Sequence, residues 1–224
     1  MHNDSSVGRV VGIFAAGLGT DIAVISLLGK LAEGALKSET KAVDKEGTHL
    51  VRDTEHPALD PVTSLLSGIG EPNTLYPVAG LLAALWWAKG RPADALTIGI
   101  AVAGSSAVDK AVKLIVKRPR PRTRFHRQRT SGSSFPSQHV AMSLATYGTA
   151  VYLINRRTPK KQRRPIRLWA PVLLLCAMIG WSRVYKGVHH PTDVLGGVIA
   201  GAIWFATCAE INQSLTAKKG RRHA

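Results

Sequence analysis

Cysteine is nearly absent: of 224 residues only Cys176 and Cys208 are cysteines, and both sit inside apolar blocks. No disulfide framework is expected, and both read as small buried packing residues. Acid is also scarce, with 14 Asp and Glu against 30 Lys and Arg. A secretory leader is missing from the pattern: only Arg9 precedes the first apolar block, which contains Asp21 and lacks a clear small-residue cleavage site. That block therefore reads as a retained membrane segment. There is no internal repeat and no heptad pattern. Converging metal ligands are missing too. His189, His190 and Asp193 come nearest to a set, but zinc needs three or four ligands with outer support, and the neighbouring cations would repel it. No metal and no cofactor is expected.

The surplus of base is open to several readings: nucleic acid, an anionic membrane surface or an anionic substrate. The run RPRPRTRFHRQR would suit the first. Against it, 45% of the residues are apolar and they cluster in blocks, which does not suit a soluble basic binder. Six blocks stand out, at 10–29, 75–88, 95–108, 140–154, 168–181 and 194–209. The first has about the ~20 residues needed to cross a hydrocarbon core. Asp21 within it is costly in lipid and is expected to face the bundle or an interface. Trp86 and Trp87 close the second block where an aromatic anchor belongs. In the third, Gly99, Gly104, Ser105 and Ser106 allow close helix packing. The mean hydropathy of +0.04 is low for such a chain, because long polar loops and the tail dilute the average.

These blocks predict an all-α, polytopic membrane bundle of about six spans, forming one domain over residues 1–224. Residues 31–73 hold eight acids against Lys37, Lys41, Lys45 and Arg52, with breaks at Pro57 and Pro61. Their apolar pattern Leu59, Val62, Leu65, Leu66, Ile69 predicts one or two short helices lying along the membrane surface. With six spans, the 89–92 turn, the 155–167 loop and the basic tail at 213–224 share one side, and bring 2, 7 and 4 Lys or Arg. That side is cytoplasmic by the positive-inside rule. The acidic 31–73 segment then faces outside. So does the 110–129 region, whose nine Lys and Arg break the rule unless they bind an anion.

The chemistry concentrates in SRVYKGVHHPTD, residues 182–193. Arg183 can grip an anion as a planar fork. His189 and Asp193 are four apart, so on a helix they would share a face and hydrogen-bond. An imidazole held by a carboxylate is a prepared nucleophile or base. Upstream, KLIVKRPRP places Lys113 seven residues before Arg120-Pro121, and SSFPSQH places Ser137 and His139 where an apolar run begins. Ser137 follows Pro136 at an expected helix start, where free backbone N–H groups favour an anion. Arg118-Pro119 is a rival Arg-Pro pair, but the residue seven before Arg118 is Ala111, so the lysine spacing selects Arg120.

Together the three stretches read K-x6-R-P, P-S-x-H and S-R-x5-H-x3-D across residues 113–193. In this order the chain resembles the type 2 phosphatidic acid phosphatase superfamily, in particular its bacterial membrane members. The resemblance implies that His189 attacks phosphorus, Asp193 orients it, and His139 protonates the leaving oxygen and then activates water. It also implies that Lys113, Arg120, Ser137, Gln138 and Arg183 surround the phosphate. His190 has no place in the signature and is expected to stand behind the site or in solvent. The family usually has glycine where Gln138 stands, so Gln138 must adopt an ordinary backbone conformation, and its amide is available to the cavity.

The resemblance implies a lipid phosphate or lipid pyrophosphate as substrate, such as undecaprenyl pyrophosphate, phosphatidylglycerol phosphate or phosphatidic acid. The site would lie outside the cytoplasm in the cell membrane. Vanadium-dependent haloperoxidases share the signature but are soluble, which the apolar blocks oppose. A lipid phosphotransferase and a non-catalytic nucleic-acid binder are the other readings.

Overall fold

The computed structural model describes residues 38–121, 132–163 and 165–220. The first apolar block, with Asp21, lies outside these residues, as do the centre of the basic 117–136 loop and the last part of the tail. All regular structure among the described residues is helical: α1 (Ser38–Arg52), α2 (Leu59–Ile69), α3 (Pro72–Ala88), α4 (Pro92–Val116), α5 (Gln138–Arg157), α6 (Pro165–Tyr185) and α7 (Pro191–Gly220), with a short 3₁₀ turn at Lys160–Gln162.

Each of the five long helices starts earlier than its apolar block. Four of them start on a proline, at Pro72, Pro92, Pro165 and Pro191. Proline suits the first turn because its missing N–H would have no helical partner there, and its φ is already helical. α4 ends where Lys117 turns left-handed at φ 41°, just before Pro119. The blocks mark the apolar middle of each helix, while the polar first and last turns carry the chemistry.

α4, α5, α6 and α7 run alternately up and down, so the end of α4, the start of α5, the end of α6 and the start of α7 meet at one end of the bundle. α5 is the central helix and packs against α3, α4, α6 and α7. Its buried side includes Ser143, Thr146, Gly148 and Thr149. That position explains a departure from the six-span expectation. Only α4, α6 and α7 among the described helices are long and apolar enough to cross a membrane by composition. α5 faces protein rather than lipid, so its residues need not be apolar, and α3 is short at 17 residues. The lipid-facing character is plain elsewhere, with Leu114, Leu173, Leu174 and Leu195 all exposed. Trp87 is exposed, and Trp86 lies beneath two cations, Lys89 Nζ at 5.7 Å and Arg91 Cζ at 5.3 Å from the ring centre.

Three layers of apolar packing fill the bundle. Val112, Phe135, Ala141 and Ala200 join α4, α5 and α7 below the signature end. Ala101, Ala145, Trp204 and Cys208 lie deeper, and Leu75, Ile98, Met142 and Leu153 fasten α3 to α4 and α5. At the opposite end a buried polar clamp replaces them. Asp94 Oδ2 accepts from Arg157 Nε (2.8 Å), and its Oδ1 accepts from Arg157 Nη2 (2.7 Å) and Asn212 Nδ2 (2.9 Å). Arg156 Nη1 donates to Asn212 Oδ1 at 2.7 Å.

The two α1 and α2 helices match the expectation of short elements on 31–73, but their facing is different from the apolar pattern. α2 buries Thr63, Leu66 and Ser67, and leaves Val62 and Leu65 exposed. The polar residues turn inward because they meet the charged end of the bundle.

Close approach of α7 to α5 rests on two glycines. A Cβ at Gly197 would lie 2.7 Å from the Ser137 carbonyl oxygen, and one at Gly201 would lie 2.7 Å from that of Ala141. Backbone oxygens in a helix cannot move aside. Gly104 is similarly required, since its Cβ would enter the Trp204 ring, whereas a Cβ at Gly99 meets nothing within 4 Å. Of the small residues expected to pack α4, Gly99 is therefore not in a tight contact. Gly201→Ala is expected to cost about 1–3 kcal/mol through forced separation of the helices. Gly99→Ala should be neutral or stabilising by about 0.5–1 kcal/mol. Apparent melting temperatures of the purified variants in one detergent check this, and equal shifts would contradict the packing account.

Candidate active site

The four helix ends bring all eight residues of the sequence reading to one end of the bundle. Lys113 stands in the last turn of α4, Arg120 follows it, Ser137, Gln138 and His139 open α5, Arg183 closes α6, and His189 and Asp193 flank the start of α7. The up-and-down topology does this: residues seventy apart in sequence become neighbours because each helix returns the chain to the same side.

His189 is buried and lies in the turn before α7, not on the helix as the four-residue spacing suggested. The turn is made by Gly187 at φ 68°, in the left-handed region where glycine is free of steric cost. Asp193, fully buried in the first turn of α7, reaches back to it. His189 Nδ1 lies 3.6 Å from Asp193 Oδ2. This is just beyond hydrogen-bond length, a separation that tightens readily when a ligand fills a site. Asp193 Oδ2 also accepts the backbone N–H of His190 at 2.8 Å, and the Asp193 carbonyl accepts the Ser137 N–H at 2.9 Å. Thus His190, which has no signature role, holds the carboxylate through its backbone.

The cations stand in different states. Arg183 is buried and donates through Nη1 to Ser67 Oγ of α2. Arg120 Nη1 donates to the Val188 carbonyl at 2.8 Å, which pins the chain beside His189. Lys113 Nζ pairs with Asp109 one turn earlier, at 2.9 Å, and stays partly exposed. Ser137 is buried at the N-cap of α5, and its Oγ has no hydrogen-bond partner among the described residues. Such an orphan donor at a helix start is an anion-binding feature. Gln138 is the first residue of α5, with ordinary helical backbone, as its replacement of glycine demands. The cations acting on His139 are Arg183, Lys113 and Lys186.

Sequence reasoning set Arg118 aside in favour of Arg120, and did not find the contacts that Arg118 makes. Arg118 is buried, and its guanidinium is occupied by two carboxylates: Nη1 bonds Asp193 Oδ1, and Nη2 lies 2.5 Å from Asp44 Oδ2. Asp44 of α1 also accepts the Thr192 backbone N–H at 3.0 Å. Tyr185 Oη donates to the His56 carbonyl (3.1 Å) or Asp60 Oδ1 (3.2 Å), tying the α1–α2 connection over the end of α6. Asp44, His56, Asp60 and Ser67 all come from the acidic 31–73 segment. Nothing in their spacing marks them, because their partners lie on distant elements.

Burial pushes the His189 imidazole down from 6.5 to about 4, against the opposite pull of Asp193; Arg183 and Arg120 add to the lowering. The imidazole is therefore neutral, and able to donate an electron pair, throughout the physiological range. A proton bound by the unfolded chain near 6.5 must be released on folding until pH falls to about 4. His189 thus contributes stability that is intact above 6.5 and lost as pH falls toward 4. The melting temperature is expected to fall over that interval, and His189→Gln should flatten part of the slope. Parallel slopes for the two proteins would show that His189 is not held neutral.

Comparison with known proteins places this geometry. The family model described as the PAP2 superfamily matches residues 94–216. Phosphatidylglycerophosphatase B of Bacillus subtilis is 26% identical over 181 residues, covering 80% of this chain and 86% of its own length. The provisionally named undecaprenyl-diphosphatase YbjG of Escherichia coli is 32% identical over 159 residues, covering 66% of this chain and 73% of its own. Among solved structures, the transmembrane PAP2 type phosphatidylglycerolphosphate phosphatase from Bacillus subtilis superposes with a TM-score of 0.78 at 21% identity, over 88% of this chain and 98% of that one. The all-helical membrane fold is therefore shared, the matched region contains every signature residue that the bundle gathers, and the chain belongs to the PAP2 superfamily.

Proposed function

We propose that this chain is a single-domain membrane lipid phosphatase that hydrolyses a lipid phosphate or polyprenyl pyrophosphate through a phosphohistidine on His189, at the extracytoplasmic face. The relatives are named as phosphatases, which makes a phosphate-ester hydrolase the enzyme class. The observation that carries the mechanism is the buried, neutral His189 with its Nδ1 facing the Asp193 carboxylate, beside Lys113, Arg120 and Arg183.

With Nδ1 directed at Asp193, Nε2 is the attacking nitrogen. Phosphoryl transfer needs in-line geometry and neutralisation of the equatorial oxygens. Lys113, Arg120 and Arg183 supply the charge, and Ser137 Oγ and the free N–H groups of α5 supply neutral donors. Nε2 forms a bond to phosphorus as the bond to the lipid oxygen breaks, and His139 gives that oxygen its proton. Water then attacks phosphorus, His139 takes the proton, and the P–N bond breaks to release inorganic phosphate. Asp193 stabilises the positive imidazole ring between the two steps. Lys113 exchanges Asp109 for substrate, or serves both.

The relatives' names put phosphatidylglycerol phosphate and undecaprenyl pyrophosphate first among substrates. Exposed Val43, Leu50, Val62 and Leu65 on α1 and α2 support a position at the bilayer surface, with lipid tails remaining in the membrane. The basic Arg156, Arg157, Lys160, Lys161 and Arg163 stand at the other end of the bundle, which supports an outward-facing site by the positive-inside rule.

Two experiments test this. With chelator present throughout, His189→Ala should lose turnover on every substrate. His139→Ala should lose far more of its first-turnover rate on an alkyl lipid phosphate than on nitrophenyl phosphate, because only the alkoxide needs a proton. General-acid help is worth about 10²–10⁴-fold. Equal losses on both substrates would remove His139 from the proton-transfer role. For orientation, Cys176 and Cys208 are changed to Ala and single cysteines placed at Ser131 and Thr158. The first is expected to label from outside intact cells and the second to be protected; the reverse pattern would invert the topology.

A further inference from the structure

Asp44 lies outside the family-matched region, and its side chain on α1 is buried. It is 5% exposed, while its neighbours Lys41, Val43, Lys45 and Glu46 are all exposed. A buried carboxylate must be compensated by charge and hydrogen bonds. Asp44 has both: Arg118 Nη2 at 2.5 Å, the Thr192 N–H at 3.0 Å and the Thr192 hydroxyl at 2.9 Å. Thr192 is the second residue of α7, where backbone N–H groups have no helical partner. Asp44 therefore caps the helix that carries Asp193 from a distant element, and its negative charge lies favourably at that helix start.

Arg118 connects the two carboxylates. Its Nη1 serves Asp193 Oδ1 and Thr192 Oγ (2.8 Å), while Nη2 serves Asp44. Its backbone is fixed as well: the Arg118 N–H donates to Ser133 Oγ (3.0 Å), and its carbonyl accepts the Ser134 N–H (2.9 Å). An arginine fork prefers to take one carboxylate with both arms. If it did so here, both Asp193 oxygens would be drawn to Arg118, and none would face His189 Nδ1. With Nη2 held by Asp44, Nη1 meets Asp193 at Oδ1, and Oδ2 lies toward the histidine.

We propose that Asp44 is a positioning residue of the phosphatase: through Arg118 it sets the orientation of Asp193 toward His189. This rests on His189 being the nucleophile and Asp193 its partner. Loss of Asp44 would misplace the imidazole without touching Lys113, Arg120 or Arg183, so the attack slows while phosphate binding is kept. A misplacement of about 1 Å costs up to about 10²-fold in rate.

The test measures single-turnover rate constants on nitrophenyl phosphate, with the full-length protein in excess, for wild type, Asp44→Asn, Arg118→Gln, the double variant, His189→Ala and the exposed control Glu46→Ala. With active protein in excess over substrate and at concentrations where the rate no longer rises with protein, the rate constant does not depend on the fraction that is folded, so a loss of stability alone leaves it unchanged. Asp44→Asn keeps an acceptor for Thr192 and nearly the same volume, and should lower the rate about 10- to 100-fold. Inhibition by inorganic phosphate should change less than threefold. In the Arg118→Gln background the same substitution should have less than about a threefold further effect, since its route is already cut. Glu46→Ala should match wild type. An Asp44→Asn protein at full rate, or effects that multiply in the double variant, would overturn the proposal while an inactive His189→Ala keeps the site reading. Turnover surviving in His189→Ala would overturn both.

Discussion

The charged end of this bundle depends on a single guanidinium being divided between two buried acids. Arg118 joins Asp44 of α1 to Asp193 of α7, and all three side chains are buried. Breaking a buried pair by removing one member costs about 3–5 kcal/mol, because the remaining charge is left uncompensated. The other features of the site follow from this pairing. Asp193 is held with one oxygen toward His189, the start of α7 is capped, and α1 is drawn in against the helices that carry the signature.

The rest of the cationic cluster is built on the opposite principle. Arg183, Arg120 and Lys113 are brought to the same end of the bundle. Arg183 is satisfied in part by the neutral Ser67, and Lys113 by Asp109. Buried Ser137 Oγ and the open first turn of α5 add donors without acceptors. Donors of this kind suit an anion with several oxygens. The far end of the bundle shows the contrast: Asp94, Arg157, Asn212 and Arg156 satisfy one another by well-formed hydrogen bonds, and that end is a closed clamp. That clamp fastens the end of the bundle opposite the signature residues.

Close helix approach links the two ends. Gly197 and Gly201 let α7 lie against the α5 backbone, and this places the Ser137 N–H on the Asp193 carbonyl. A wider gap would separate the two signature stretches, since one opens α5 and the other opens α7. Packing of α7 on α5 thus sets the separation of the stretches that carry His139 and His189.

Local chemistry alone determined much of this protein. Prolines and apolar blocks located the long helices, and the spacings of Lys113, Arg120, Ser137, His139, Arg183, His189 and Asp193 named the family and gathered residues that do meet. These features are legible because they repeat along one strand of sequence. What the tertiary structure decided lies between elements. α5 became central, so its hydroxyl-rich face did not need to read as a membrane span. α2 turned Ser67 inward beside Leu66, where it meets Arg183, and left Val62 and Leu65 exposed. Asp44, one acid among eight in a polar segment, became the counter-charge of Arg118 across 74 residues. An ion pair depends on distance in space, and sequence separation carries no information about it until the helices have packed.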